Sequence, residues 1–192
     1  MFESKGVKNL KSILSYCFSN TDIKRYLGED TKIIEYQELR NYENIDAVLP
    51  EERDFVVILI ETKQNSGHWT TLLKYDGLLE WFDSYCMDVD KELSFIPESI
   101  RRMLGQGKKR LTELIDESDY DCIYNDTKLQ SQKSFDNTCG RWVCSRVLHF
   151  KKNKNLKEYI NYFNIMTEER GYKGDLKYDM VVINEINYSG QN

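Results

Sequence analysis

Histidine is scarce in this chain: two in 192 residues, His68 and His149. Chemistry that needs an imidazole has only these to draw on, and no paired His/Cys spacing suggests a zinc site or another metal. Proline is as scarce, at Pro50 and Pro97. Neither a Pro/Gly-rich linker nor a repeat divides the chain, so residues 1–192 read as one domain, long enough to bury a core. Long apolar runs are missing too. Nothing approaches the roughly 20 residues of a membrane span, and "MFESKGVKNLKSILSYCFSN" is too polar for a secretory leader. Positive charge falls short of negative, with Lys+Arg 27 against Asp+Glu 32 and a net charge of −5. That argues against nucleic acid as the main partner. Five cysteines (Cys17, Cys86, Cys122, Cys139, Cys144) form no CxxC pair, which fits reduced thiols in an intracellular compartment.

What is present is a folded-domain composition, 40% hydrophobic and 12% aromatic, enough for a packed interior. Val7, Leu10, Ile13, Leu14, Cys17 and Phe18 recur at helical spacing and predict an N-terminal helix across 5–27. "TKIIEYQEL" leads into a short helix, and "DFVVILIET" (54–62) is a β-branched run that predicts a buried strand. "HWTTLLKYDGLLEWFDSY" holds two apolar runs separated by Asp76-Gly77. Asp-Gly is the preferred pair for a type I′ turn, because both central residues need positive φ. Residues 97–117 read as helix interrupted at Gly105 and Gly107, the basic stretch "RRMLGQGKKR" being a solvated helix end and turn. "DCIYND" (121–126) predicts a short strand. Residues 139–151 are too broadly apolar for a surface stripe (Trp142, Val143, Val147, Leu148, Phe150) and predict a central buried helix. Residues 155–166 predict another, while "YDMVVINEI" fits a strand by β-branching and a helix by length. Helices, then strands, then helices is an α+β order.

Cys139 stands directly before Gly140 and the buried helix, behind the polar stretch "LQSQKSFDNT". With Asn137 or Thr138 as N-cap, Cys139 falls in the first turn, where backbone N–H groups and the helix dipole favour a thiolate. A thiol nucleophile needs a base. His149 lies ten residues along the same helix, roughly 15 Å away at 1.5 Å per residue, so the base is His68. Hairpin register supplies the acid. With Asp76-Gly77 as the turn, Tyr75 pairs with Leu78 and Thr70 faces Asp83, which makes His68 the same-face diagonal neighbour of Asp83. Diagonal Cβ atoms lie within roughly 7–8 Å, close enough for an imidazole–carboxylate bond. A one-residue slip would put the two on opposite faces. The Cys139 N–H can meet a developing oxyanion, and a side-chain amide would complete that hole. Gln130 and Gln132 are both candidates by spacing.

His68-Trp69 at the head of a strand, Asp83 at the end of the next, then Gln132-x6-Cys139-Gly140 resembles the adenain-type maturation proteases of adenoviruses. It also resembles the wider superfamily of SUMO-specific proteases, which share the order His–acid–Cys. The resemblance covers about residues 54–151. It implies a cysteine endopeptidase on a small mixed or antiparallel sheet with a buried helix carrying the nucleophile and flanking helices. It makes His68 the base, Asp83 its orienting acid, Gln132 the oxyanion donor and Cys139 the nucleophile, with Trp69 narrowing the substrate groove. The His-to-acid spacing of 15 is two shorter than in those families, and a hairpin shortened by two keeps both residues on one face. SUMO proteases place their glutamine six before the cysteine, where this chain has Lys133, so the match leans to the viral branch. The implied protein is a monomeric, cofactor-free protease of DNA viruses or virophages. It would cut capsid or scaffold precursors after small residues, in the infected cell and in the virion. A ubiquitin- or SUMO-like-protein isopeptidase, an acyltransferase on the same fold and a non-catalytic binding domain are the rival readings.

Overall fold

The computed structural model describes residues 5–187. The chain clusters into two compact units, one holding the described residues up to Glu29 together with those from Thr127 onward, the other Asp30–Asp126. Where one N-terminal helix was expected across 5–27, there are two: α1 (Lys5–Ser15) and α2 (Asn20–Leu27). The break is a capping box. Ser19 Oγ accepts the Asp22 N–H, and the Asp22 carboxylate accepts the Ser19 N–H at 2.8 Å. Reciprocal satisfaction of orphan donors starts a new helix there.

The Asp30–Asp126 unit is a five-stranded mixed sheet in sequential order. It runs β1 (Ile33–Glu35), a 3-10 turn and α3 (Ile45–Val48), then β2 (Asp54–Lys63), β3 (Ser66–Tyr75) and β4 (Leu78–Phe82). After a second 3-10 turn (Glu92–Phe95) come α4 (Glu98–Met103), α5 (Arg110–Asp116) and β5 (Asp121–Tyr124). The outer pairs β1/β2 and β4/β5 are parallel and the inner pairs antiparallel. Val56–Ile60 of β2 are buried on both faces, as their unbroken apolar run requires. Ile58, Leu72 and Trp81 pack with Leu39, Val48 and Leu111 in one core. Thr70 and Thr71 survive in that interior because their hydroxyls donate to the Ile58 and Val56 carbonyls, at 3.2 and 2.9 Å.

The hairpin has the expected register. Asp76 and Gly77 take φ of 51° and 74°, and Tyr75 pairs with Leu78 through to Thr71 with Phe82. At the other end of β3, Gly67 sits beside the β2 bulge between Glu61 and Lys63. A Cβ on Gly67 would meet the Ile60 carbonyl oxygen at 1.9 Å, so only glycine lets the two strands approach immediately before His68. In the stretch 101–110, Arg102 and Lys108 are exposed as expected, but Gln106 is buried. Its amide accepts from the Glu61 N–H (3.1 Å) and donates to the Glu61 carbonyl (2.7 Å), standing in for a neighbouring strand.

The helical unit adds α6 (Cys139–Lys151), α7 (Leu156–Glu169) and α8 (Lys177–Glu185) to α1 and α2. The ambiguous tail is therefore a helix. α6 is central, with Trp142, Val143, Cys144 and Val147 buried. Its polar residues Arg141, Ser145 and Arg146 are buried as well, which the sequence pattern does not announce. Arg141 donates to the Tyr16 carbonyl at 3.0 Å and lies 4.6 Å over the Phe18 ring. Arg146 donates to the Lys154 carbonyl at 3.1 Å and lies 5.3 Å from the Tyr159 ring. Hydrogen bonds and aromatic faces are what make a buried guanidinium tolerable. Among the described residues no helix is long and apolar enough to cross a membrane.

Candidate active site

The sheet unit places His68 and Asp83 together. His68 Nε2 lies 3.1 Å from Asp83 Oδ1, with the two side chains 6% and 1% exposed. The register brings them to one face, and a backbone donor helps fix the acid: Asp83 Oδ1 also accepts the Tyr85 N–H at 2.7 Å. The Tyr85 ring stacks on the imidazole with centroids 4.7 Å apart. Trp69 is buried, paired across the sheet with Leu59. A third group joins that the sequence pattern does not mark. Glu92, opening the second 3-10 turn, brings Oε2 to 3.8 Å from His68 Nε2. Burial, with the Asp83 charge adding, pushes its carboxyl up to about 7, against the opposing pull of His68. One donor atom from each of His68, Asp83 and Glu92 lies within 4.8 Å of the others, close enough to hold a divalent cation. Nε2 and Oδ1 are spent on each other, so the arrangement reads first as an imidazole held by acids.

In the helical unit Cys139 is the first residue of α6, a free thiol 5% exposed. The capping expectation is corrected here. Thr138 occupies the N-cap position but with φ −84° and ψ 0°, and its hydroxyl does not cap the helix. It is engaged by two buried carboxyls instead, 2.7 Å from Asp136 Oδ1 and 2.8 Å from Asp179 Oδ1. Asn137, the other candidate, ties the loop to α1, its N–H donating to the Leu14 carbonyl at 2.9 Å. Asp179, on α8, also accepts the Trp142 Nε1–H (3.0 Å) and the Ser131 N–H (2.9 Å). One buried acid thus ties the start of α6 to the loop before it.

A hydroxyl donates once, so one of the two carboxyls supplies the other proton of that cluster. Burial and the Asp136 charge push Asp179 up to about 7, and burial raises Asp136 as well. The consequence for stability has a definite sign. An acid raised on folding binds more protons in the folded than in the unfolded chain between its ordinary range and about 7. Stability present below pH 4 is therefore lost as pH rises through 7. Asp179→Asn, which keeps an acceptor for Trp142, is expected to flatten that slope in urea melts taken from pH 4 to 8. A slope unchanged in the variant would show that Asp179 is not its source.

The glutamines separate clearly. Gln130 is 1% exposed, its amide donating to the Asp136 carbonyl at 3.4 Å. Gln132 is exposed and lines a cavity of about 520 Å³ with Lys128, Lys133 and Lys177. His149, excluded as a base by its place on α6, is occupied: Nε2 lies 2.8 Å from Glu185 Oε1 and the ring packs against Tyr159 and Tyr162.

No family model matches the chain. Among solved structures, the chain is similar to SUMO protease Ulp1 with its catalytic cysteine oxidised to a sulfinic acid, at 18% identity and a TM-score of 0.40. That similarity covers 82% of this chain and 81% of the other. The C-terminal Ulp1 protease domain in complex with Smt3, the yeast ortholog of SUMO, is similar at 20% identity and a TM-score of 0.39, over 80% and 76% of the two chains. A protein of Sputnik virophage, "Uncharacterized protein V9", is 34% identical over 161 residues, which span 83% of this chain and 90% of that protein. At that identity and coverage, the chain belongs to the family of the virophage V9 protein.

Proposed function

We propose that the chain is a cysteine endopeptidase that trims capsid or scaffold precursors in a virophage-like virus. The observation that carries this reading is the buried His68–Asp83 pair at 3.1 Å, an imidazole oriented by a carboxylate at the head of a rigid hairpin. A free cysteine opening a buried helix and the virophage relative support it. In the proposed mechanism His68 takes the Cys139 thiol proton and Asp83 stabilises the imidazolium that forms. The thiolate attacks the scissile carbonyl, and the Cys139 N–H and the Gln132 amide hold the oxyanion. His68 then protonates the leaving amine, and water, deprotonated by His68, hydrolyses the acyl-enzyme. With Gln130 committed to the backbone of its own loop, the exposed Gln132 is the better donor.

The test is co-expression with the major capsid protein of the source virus, followed by sequencing of new N-termini. New termini that vanish with Cys139→Ala support the reading. Labelling of Cys139 by a ubiquitin or SUMO vinyl-sulfone probe, with the capsid protein left intact, would replace it by an isopeptidase. Within the reading, Gln132→Ala is expected to cut kcat by roughly 10²–10³-fold with KM little changed. Gln130→Ala should stay within a few-fold in kcat. The reverse order would move the oxyanion donor to Gln130.

A further inference from the structure

His68 has one acid in Asp83, and Glu92 brings a second to the same nitrogen. Its Oε2 lies 3.8 Å from Nε2, the side chain is only 12% exposed, and that oxygen has no hydrogen-bond partner. Asp83 Oδ2 is buried without one as well. From the elements packed around Glu92, the charged groups that act on it are His68 of β3 and Asp83 behind β4. The charges do not close on their own. An imidazolium balances one of the two carboxylates, and a neutral imidazole balances neither. A buried carboxylate without a counter-charge takes up a proton instead of remaining ionised.

We propose that Glu92 is a second acid on the His68 imidazole, a positioning residue that carries a proton while His68 is neutral and releases it when His68 becomes imidazolium. The role as a catalytic aid rests on His68 being the base of the protease proposed above. The step balances. The thiol proton passes to His68, Glu92 gives its own proton to water through its exposed edge, and the cluster gains one positive and one negative charge together. Burial and the Asp83 charge hold the Glu92 carboxyl near neutrality, where it responds to this change. Glu92 thereby stabilises the thiolate–imidazolium pair without leaving a permanent excess charge in the resting site.

The experiment follows the His68 ring signal by NMR through a pH titration, in the wild-type chain and in Glu92→Gln, with each of the two histidines assigned from its single variant. Loss of the nearby carboxylate is expected to lower the His68 midpoint by about one pH unit, since an opposite charge at this range favours the charged form. The acid limb of kcat/KM, set by protonation of the neutral His68 that receives the thiol proton, should move to lower pH by the same amount. Glu92→Asp, one methylene shorter, should give a smaller shift, and it serves if Glu92→Gln does not fold. Because Glu92 still holds the ring, Glu92→Gln should cost more in an Asp83→Asn background than alone. A His68 midpoint unmoved in both Glu92 variants overturns the proposal, whatever the activity. A midpoint that moves in a chain that cuts no precursor leaves Glu92 as the second acid and removes the protease reading.

Discussion

Cys139→Ala is expected to reduce precursor cleavage by on the order of 10⁶-fold, and His68→Ala by a similar factor, with the double variant no worse than either. In the proposed mechanism nucleophile and base act as one unit, so removing one removes what the other would do. The expectation discriminates because the chain offers near neighbours as controls. Cys144 lies on the same helix, is fully buried, and its thiol is pushed up by burial. Cys144→Ala should therefore change stability and leave kcat close to wild type. His149→Ala breaks a 2.8 Å contact with Glu185, and should destabilise α8 while folded enzyme keeps its rate within a few-fold. Cleavage measured per mole of folded protein, with folding followed by circular dichroism, separates the two classes. A His149 variant that folds but does not cut would show that the base is misassigned.

Trp142→Ala should be the most destabilising of the single changes considered. Trp142 is fully buried on α6, packs on Phe163 of α7 with ring centroids 4.7 Å apart, and donates Nε1–H to Asp179 of α8 at 3.0 Å. One side chain therefore joins three helices. Truncating a buried Trp costs about 3–5 kcal/mol through lost burial and the cavity left behind. Asp179 loses a donor as well, which adds to the cost of a buried acid. In a domain of this size the result is a fall in Tm of roughly 6–20 °C. Trp142→Phe keeps much of the volume and loses only the N–H, so it should fall between wild type and Trp142→Ala in a thermal melt. Two variants melting together near wild type would mean that the helices are not held through this residue.

The parts of the fold legible in the sequence are those whose cause is local. The Asp76-Gly77 pair dictates the turn, the turn dictates the register, and the register puts His68 beside Asp83. The apolar run of β2 and the broad apolar character of α6 are equally local. The split of 5–27 was also written in the chain, as Ser19 and Asp22 three apart, but an apolar period running across them hides it. α8 was ambiguous because Val181, Val182 and Ile183 favour strands by a fraction of a kcal/mol per residue. Burial of all three against the helical unit outweighs that. Glu92, Asp136 and Asp179 left no signal that a period or spacing could carry. Glu92 lies 24 residues beyond His68, and Asp179 lies 41 beyond Thr138, so each partnership exists only once the chain has folded. Arg141 and Arg146 are fully buried on the helix expected to be buried, but the carbonyls and rings that receive their guanidinium groups leave no mark in the sequence.

The central claim is that Cys139 is a nucleophile activated by His68, and selective alkylation tests it without needing a substrate. The native chain is treated with substoichiometric iodoacetamide at near-neutral pH, and the modified cysteine is located by peptide mass spectrometry. The account predicts that Cys139 reacts first although it is only 5% exposed and Cys17 is exposed, and that this preference disappears in His68→Ala. Reaction at Cys17 or Cys86 ahead of Cys139, or Cys139 labelling that is unchanged without His68, would contradict it.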